Sequence, residues 1–185
     1  MLLRTKSTLY GLLLAGFLFS CNKEEQSVAP TVDNEAITTA TLRLTNVASS
    51  TDVVTATIEN LDKTPDFSKA TLNLRANATY SGVILLADKT QTPATDVMAT
   101  IKSRQNVHLL IYTPAAGLNL TTTTTDVDTN PAPGPYPVGL AFNVTTKAAS
   151  TGKLNVVLRH QPNGKNGTPA PGTTDLDTNF NVVIK

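Results

Sequence analysis

From Ala36 onward the apolar residues of this chain fall on every second position, and that spacing constrains the fold more than any other feature. Thr39-Ala40-Thr41-Leu42-Arg43-Leu44-Thr45 alternates, and Val54, Ala56 and Ile58 alternate with Thr55, Thr57 and Glu59. Successive side chains of a strand point to opposite faces, so the alternation buries one face and wets the other, as in antiparallel sheets. The same pattern covers Thr79–Asp88, Val107–Tyr112, Leu118–Asp126, Val138–Thr146, Lys153–His160 and Leu176–Ile184. That makes about eight strands, separated by clusters of Asn, Asp, Gly and Pro that serve as turns. With no tryptophan and few aromatics, the core must be built from Val, Leu and Ile, which suits pleated sheets. The expected fold is all-β: an antiparallel two-sheet sandwich, immunoglobulin-like or jelly-roll-like. A lipocalin-like barrel is the alternative and would need longer, evenly matched strands.

One segment departs from period two. Between Pro93 and Arg104, residues Ala94, Val97, Met98 and Ile101 recur at helical spacing. Thr92 suits an N-cap, Pro93 the first helical position, and Lys102 and Arg104 the C-terminal end. The spacing predicts one short helix near 93–104, covering an end or a face of the sheets. Two stretches, DTNPAPGPYP from Asp128 to Pro137 and QPNGKNGTPAPGTT from Gln161 to Thr174, carry too many prolines and turn residues for regular structure. They are expected as surface loops, at least one of them mobile.

The N-terminus carries a different signal. Arg4 and Lys6 precede the uncharged run LYGLLLAGFLFS from Leu9 to Ser20. As a helix this run would be about 18 Å long, too short for a hydrocarbon core of roughly 30 Å. A basic start, a short apolar run and a small residue read as a secretory signal peptide over residues 1–20. Leu18-Phe19-Ser20-Cys21 resembles the lipobox of bacterial lipoproteins, although Phe19 is bulkier than the usual residue there. The resemblance implies a lipidated Cys21, cleavage before it and acylation of the new amino terminus. Stable anchoring needs more than one chain, at about 0.8 kcal/mol per buried CH₂, and a triacylated cysteine meets that need. Cys21 is the only cysteine, so no intramolecular disulfide forms, and lipidation removes an exposed thiol. Lys23, Glu24 and Glu25 resemble a surface-export signal of Gram-negative lipoproteins. Residues 21–35 are polar and unpatterned, a flexible tether, and residues 36–185 form the sandwich domain.

Removing residues 1–20 takes away Arg4 and Lys6, and the formal charge of +1 becomes −1. Such a chain has no electrostatic footprint for nucleic acid. Catalytic patterns are missing as well: no Gly-x-Ser-x-Gly, no glycine-rich phosphate loop and no cysteine nucleophile apart from the lipidated one. The reading is therefore not an enzyme, and no cofactor is implied. The residues that could carry chemistry are the two histidines, His108 and His160, at strand ends. They would share a face and bind a transition metal if their strands were neighbours; otherwise they are two unrelated polar residues. Asp126, Asp128 and Asn130 repeat in kind as Asp175, Asp177 and Asn179, with the alternate oxygens of a calcium loop. Pro131 and Phe180 stand where such a loop needs glycine, and the closing glutamate is missing, so Asx punctuation of strand ends is the competing reading. The Asn-x-Thr sequons at Asn77, Asn119 and Asn143, beside a bacterial-type signal, read as exposed strand residues.

The ordered pieces Ile37–Thr41, Asn77–Gly82, Pro93–Arg104, His108, Asp126-Val127-Asp128, Val138-Gly139-Leu140, Thr146–Gly152 and Leu158–Asn163 together resemble a family of small bacterial lipoproteins commonly labelled "type 1 periplasmic binding fold". The resemblance covers nearly the whole domain and implies a shared lipoprotein module. A periplasmic binding fold proper is a pair of α/β domains built from strand–helix repeats; this chain has half the usual length and one candidate helix, so solute binding does not follow. Similar proteins are strongly acidic through the helix, whereas this one has Lys102 and Arg104. The functional expectation is a bacterial outer-membrane protein, held by its N-terminal lipid and exposed at the surface, acting as a binding, adhesion or structural module for a protein or glycan. The alternative is a carrier of a small ligand or metal.

Overall fold

A computed structural model describes residues 34–185. The signal segment 1–20, Cys21, Lys23, Glu24, Glu25 and the rest of the tether through residue 33 lie outside the described residues. The alternating stretches form strands β1 (Thr39–Asn46), β2 (Val53–Ile58), β4 (Thr79–Asp88), β6 (His108–Pro114), β7 (Leu120–Thr124), β8 (Ala141–Thr146), β9 (Ser150–His160) and β10 (Thr173–Ile184). Two short strands, β3 (Thr71–Leu74) and β5 (Thr95–Asp96), join them. One sheet has the order β2-β1-β4-β8-β7, with β5 pairing the end of β4; the other has the order β3-β10-β9-β6. The two layers make the all-β sandwich that the alternation predicts.

The alternation is realised residue by residue. Along β4 every second side chain is buried, Tyr80 through Ile84 to Leu86, while Val83 and Leu85 face out. Leu42, Leu44, Ile58, Tyr80, Ile84 and Phe142 of the larger sheet meet Leu72, Leu110, Leu154, Val156, Phe180 and Val182 of the smaller one. Tyr112 and Phe142 stack across the gap with ring centroids 3.9 Å apart. Gly82 makes room for that ring: a Cβ there would lie 2.7 Å from Phe142.

Three departures from the expected elements have local causes. The helix α1 spans Val97–Ser103 rather than starting at Pro93, because Thr95–Asp96 pair with β4 and the Asp96 carboxylate caps Met98 N–H at 2.9 Å. An aspartate that bonds the first turn outcompetes threonine four residues earlier. Strand β8 starts at Ala141, not Val138, because the N–H groups of Gly139 and Leu140 bond the Asp126 carboxylate at 2.8 and 2.9 Å and so leave the ladder. Strand β3 is too short to show a period, and it runs parallel to the C-terminal end of β10, a pairing no local pattern announces.

Strand register sorts the connections to two ends. Thr39 pairs with Ala87, Ala40 with Ile58, His108 with His160 and His160 with Thr173. The first described residues, α1 and the loops 125–140 and 161–172 therefore gather at one end, the proximal pole. The turns 47–52, 75–78, 115–119 and 147–149 lie at the distal pole. The two proline-rich loops are pinned at the proximal pole: Lys165 Nζ is 2.9 Å from Asp128 Oδ2 with both side chains buried, and it also donates to the Gln105 carbonyl at 2.9 Å.

Candidate functional site

The proximal pole concentrates buried polar groups. A one-turn 3₁₀ helix, η1 (Gln105–Val107), follows α1 and delivers the chain into β6 at His108. Because β6 pairs with β9, His108 lies directly opposite His160, and the imidazoles stack at 5.0 Å with their planes 17° apart. The two histidines that the sequence places at strand ends are thus brought together.

Arg104, the C-cap residue of α1, ties the cluster. Its Nη2 lies 2.9 Å from His160 Nε2, and its Nη1 lies 3.2 Å from Glu35 Oε1. A guanidinium only donates, so the His160 Nε2 accepts. The Arg104 carbonyl only accepts, and His108 Nδ1 lies 3.1 Å from it. Nδ1 of His108 therefore carries the proton of the neutral ring, and Nε2 presents a lone pair.

That lone pair faces two carboxyl groups and no donor. His108 Nε2 lies 3.5 Å from Glu35 Oε1 and 3.8 Å from Asp175 Oδ2, and the His108 and Asp175 side chains are fully buried. No hydrogen bond of full geometry reaches either Asp175 oxygen or His108 Nε2, although the Glu35 backbone N–H is directed at the Asp175 carboxyl group. Burial of unpaired charge is expensive, so such groups neutralise instead. Burial pushes the Asp175 carboxyl up to about 7; the Glu35 carboxylate adds to the rise, against the Glu35 backbone N–H that donates towards it, Arg104 and Arg159. Burial pulls His108 down to about 4; the Arg104 carbonyl opposes this, and His160, Arg104 and Lys165 reinforce it. At mildly acidic pH the folded protein thus holds a neutral imidazole beside a protonated carboxyl group.

Asp175 reaches the interior through an irregularity. The register between β10 and β9 jumps between Thr174 and Leu176, which pair with Arg159 and Leu158. Asp175 is the extra residue of this bulge, and a bulge re-aims its side chain. Arg159 braces the hairpin: Nη1 bonds the Thr174 hydroxyl, and Nη2 bonds the Pro171 and Gly172 carbonyls at 3.0 and 2.7 Å. Gly172, at φ +79°, passes so close to His160 that a Cβ would sit 1.9 Å from the His160 carbonyl oxygen.

The first run with calcium-loop spacing, Asp126 to Asn130, is engaged elsewhere. Asp126 accepts from Gly139 and Leu140. Asp128 accepts from Tyr136 N at 2.8 Å and Asn130 N at 3.0 Å, and pairs with Lys165. Asn130 Nδ2 bonds the Asn106 carbonyl at 3.0 Å. Burial works against the charge on Asp128, but Lys165 and the surrounding N–H groups outweigh it and hold its carboxyl below the ordinary range. Burial lowers the Lys165 ammonium despite Asp128 and Asp126. These residues lock the loops onto η1, the Asx role. His108, His160, Asp126, Asp128 and Asn130 do not converge on one point. Among the described residues no group of three or more His, Cys, Asp or Glu is arranged to hold a metal ion.

Comparison with protein-family models, with curated proteins and with solved structures finds no match for this chain. The proximal cluster therefore stands on its own geometry. Glu35 and Lys165 went unremarked in the sequence, while Arg104 reads there as a cation at the helix end and Asp175 as part of a calcium-loop-like repeat, neither tied to the histidines. Glu35 belongs to a polar run that reads as tether, yet it is held to the domain, as is Asn34, whose Nδ2 reaches the Thr174 carbonyl at 3.4 Å and whose Oδ1 accepts from Thr173 Oγ1 at 3.2 Å. Among the described residues no helix is long and apolar enough to cross a membrane.

Proposed function

We propose that the protein is a lipid-anchored β-sandwich of the bacterial outer membrane, displayed at the cell surface as a non-enzymatic binding or structural module. The observation that carries this reading is the run from Leu9 to Cys21, an apolar segment too short to span that ends on a lipobox-like Ser20-Cys21. The fold supports it, because a compact sandwich whose described chain starts at one pole suits attachment by a single N-terminal lipid. The proximal pole then faces the membrane, and its loops 128–137 and 161–172 are not the outward surface. The distal pole, with its turns 47–52, 75–78, 115–119 and 147–149, is offered to a protein or glycan partner.

Feeding labelled palmitate to the producing cell tests the anchor. The wild-type chain takes up label and partitions with membranes, and Cys21→Ala does neither. Label retained by Cys21→Ala overturns the reading. Protease treatment of intact cells tests display: degradation of the domain is expected, and full protection contradicts surface exposure.

A further inference from the structure

The N-terminal strap and the buried carboxyl group of β10 meet at one point. Asn34 and Glu35 are held to the sandwich by few bonds: the Glu35 carboxylate to Arg104 at 3.2 Å, the Glu35 N–H towards the Asp175 carboxyl group, and Asn34 to Thr173 and Thr174 at 3.2 and 3.4 Å. The next backbone hydrogen bond along the chain is Thr38 N–H to the Ala87 carbonyl at 2.9 Å. Beneath the strap lies Asp175, its side chain buried in the bulge of β10, with the Glu35 backbone N–H directed at its carboxyl group.

We propose that Asn34–Glu35 is a proton-controlled latch, closed on the proximal pole in mild acid and released in mild alkali, so that the junction between tether and domain changes from rigid to mobile. In the closed state Asp175 is protonated and neutral, 3.8 Å from the neutral His108 Nε2. Deprotonation of Asp175 places a second carboxylate beside Glu35. The charged and titratable groups facing Asp175 are Glu35 from the strap, His108 from β6, Arg159 from β9 and Arg104 from the end of α1, with His160 of β9 and Lys165 of the 161–172 loop near His108. Arg159 is committed to Thr174 and the hairpin carbonyls. Arg104 is the cation best able to turn to a new carboxylate, and turning takes it from Glu35. Repulsion and the loss of Arg104 act on the strap together and outweigh the attraction of the Glu35 N–H to the Asp175 carboxylate. The titration that Asp175 undergoes near pH 7 sets where the latch turns over. The inference does not depend on the lipid at Cys21.

Nitrogen-15 relaxation of the whole chain, isolated from its producing cell and solubilised in detergent, reads the latch directly. The amides of Glu35 and Ala36 are expected to be rigid at pH 5.5, with order parameters near 0.85, and to fall below about 0.6 by pH 8. Asp175→Asn, which stays neutral, keeps them rigid at both pH values. Glu35→Gln retains an acceptor for Arg104 and removes the repulsion, so it also abolishes the transition and serves if Asp175→Asn fails to fold. Unchanged order parameters in the wild type overturn the proposal, as does an unaltered transition in either variant.

Discussion

His108→Gln should make the stability of this domain fall as pH rises from about 4 to 7, while the wild type stays nearly flat over most of that range. Proton uptake on folding sets the sign. Asp175 has a folded value of about 7 against an ordinary 3.8. The stability tied to it is complete below 3.8 and is lost as pH rises through 7. His108 has a folded value of about 4 against an ordinary 6.5. The stability tied to it is present above 6.5 and is lost as pH falls through 4. Between about 4 and 6.5, folding removes one proton from His108 and adds one to Asp175, so the two slopes cancel. Removing the imidazole exposes the Asp175 slope alone. At about 1.4 kcal/mol per pH unit, the interval from 3.8 to about 7 sets a ceiling of about 4 kcal/mol. Screening by solvent, Arg104 and Arg159 reduces it, and half, about 2 kcal/mol, is the expected size. For a domain of this length that is a drop of about 4–8 °C in Tm. Thermal unfolding in steps from pH 4 to 7.5, followed by circular dichroism and expressed as variant minus wild type, gives the result. Asp175→Asn should show the opposite sign, with Tm rising with pH between 4 and 6.5. Two variants that both run parallel to the wild type would refute the neutral-pair account.

Lys165→Ala leaves the buried Asp128 carboxylate without its cation and should cost about 3 kcal/mol; urea denaturation measures it, and faster proteolysis within 161–172 should accompany it. Gly82→Ala forces a Cβ to within 2.7 Å of Phe142 and 2.8 Å of Leu44, so overpacking should cost about 1–3 kcal/mol in the same assay. Tyr112→Phe removes a buried hydrogen bond to the Gly139 carbonyl of 2.6 Å and should lower stability by about 1–2 kcal/mol, with the all-β far-ultraviolet spectrum kept.

The two-layer architecture was legible because each long strand repeats a buried and an exposed position, as Tyr80 to Leu86 show within β4. Elements set by pairing with distant chain were not. Strand β3 exists because β10 lies beside it, and four residues carry no readable period. The helix start was misplaced because Asp96 takes the cap while Thr95–Asp96 are fixed to β4. For the cluster, sequence offered the two histidines and the condition that their strands be neighbours, which β6–β9 pairing meets. Asp175 was hidden because strict alternation puts it outward with Asp177, and only the bulge turns it in. Glu35 was hidden because a charged residue in a polar run looks the same whether it is solvated or gripped by Arg104. The Asp126–Asn130 stretch was ambiguous between cation ligands and Asx caps, and its carboxylates bond the backbone of loop 128–140.

The central structural claim is that the pole from which the chain leads back to its N-terminus buries a carboxyl group that is neutral beside a neutral imidazole. A carbon-13 titration of the Asp175 side-chain carboxyl, assigned by comparison with Asp175→Asn, tests it most directly. The resonance should keep the shift of a protonated acid through pH 5.5 and change with a midpoint near 7. A midpoint near 4, with an ionised carboxylate throughout the neutral range, would contradict it.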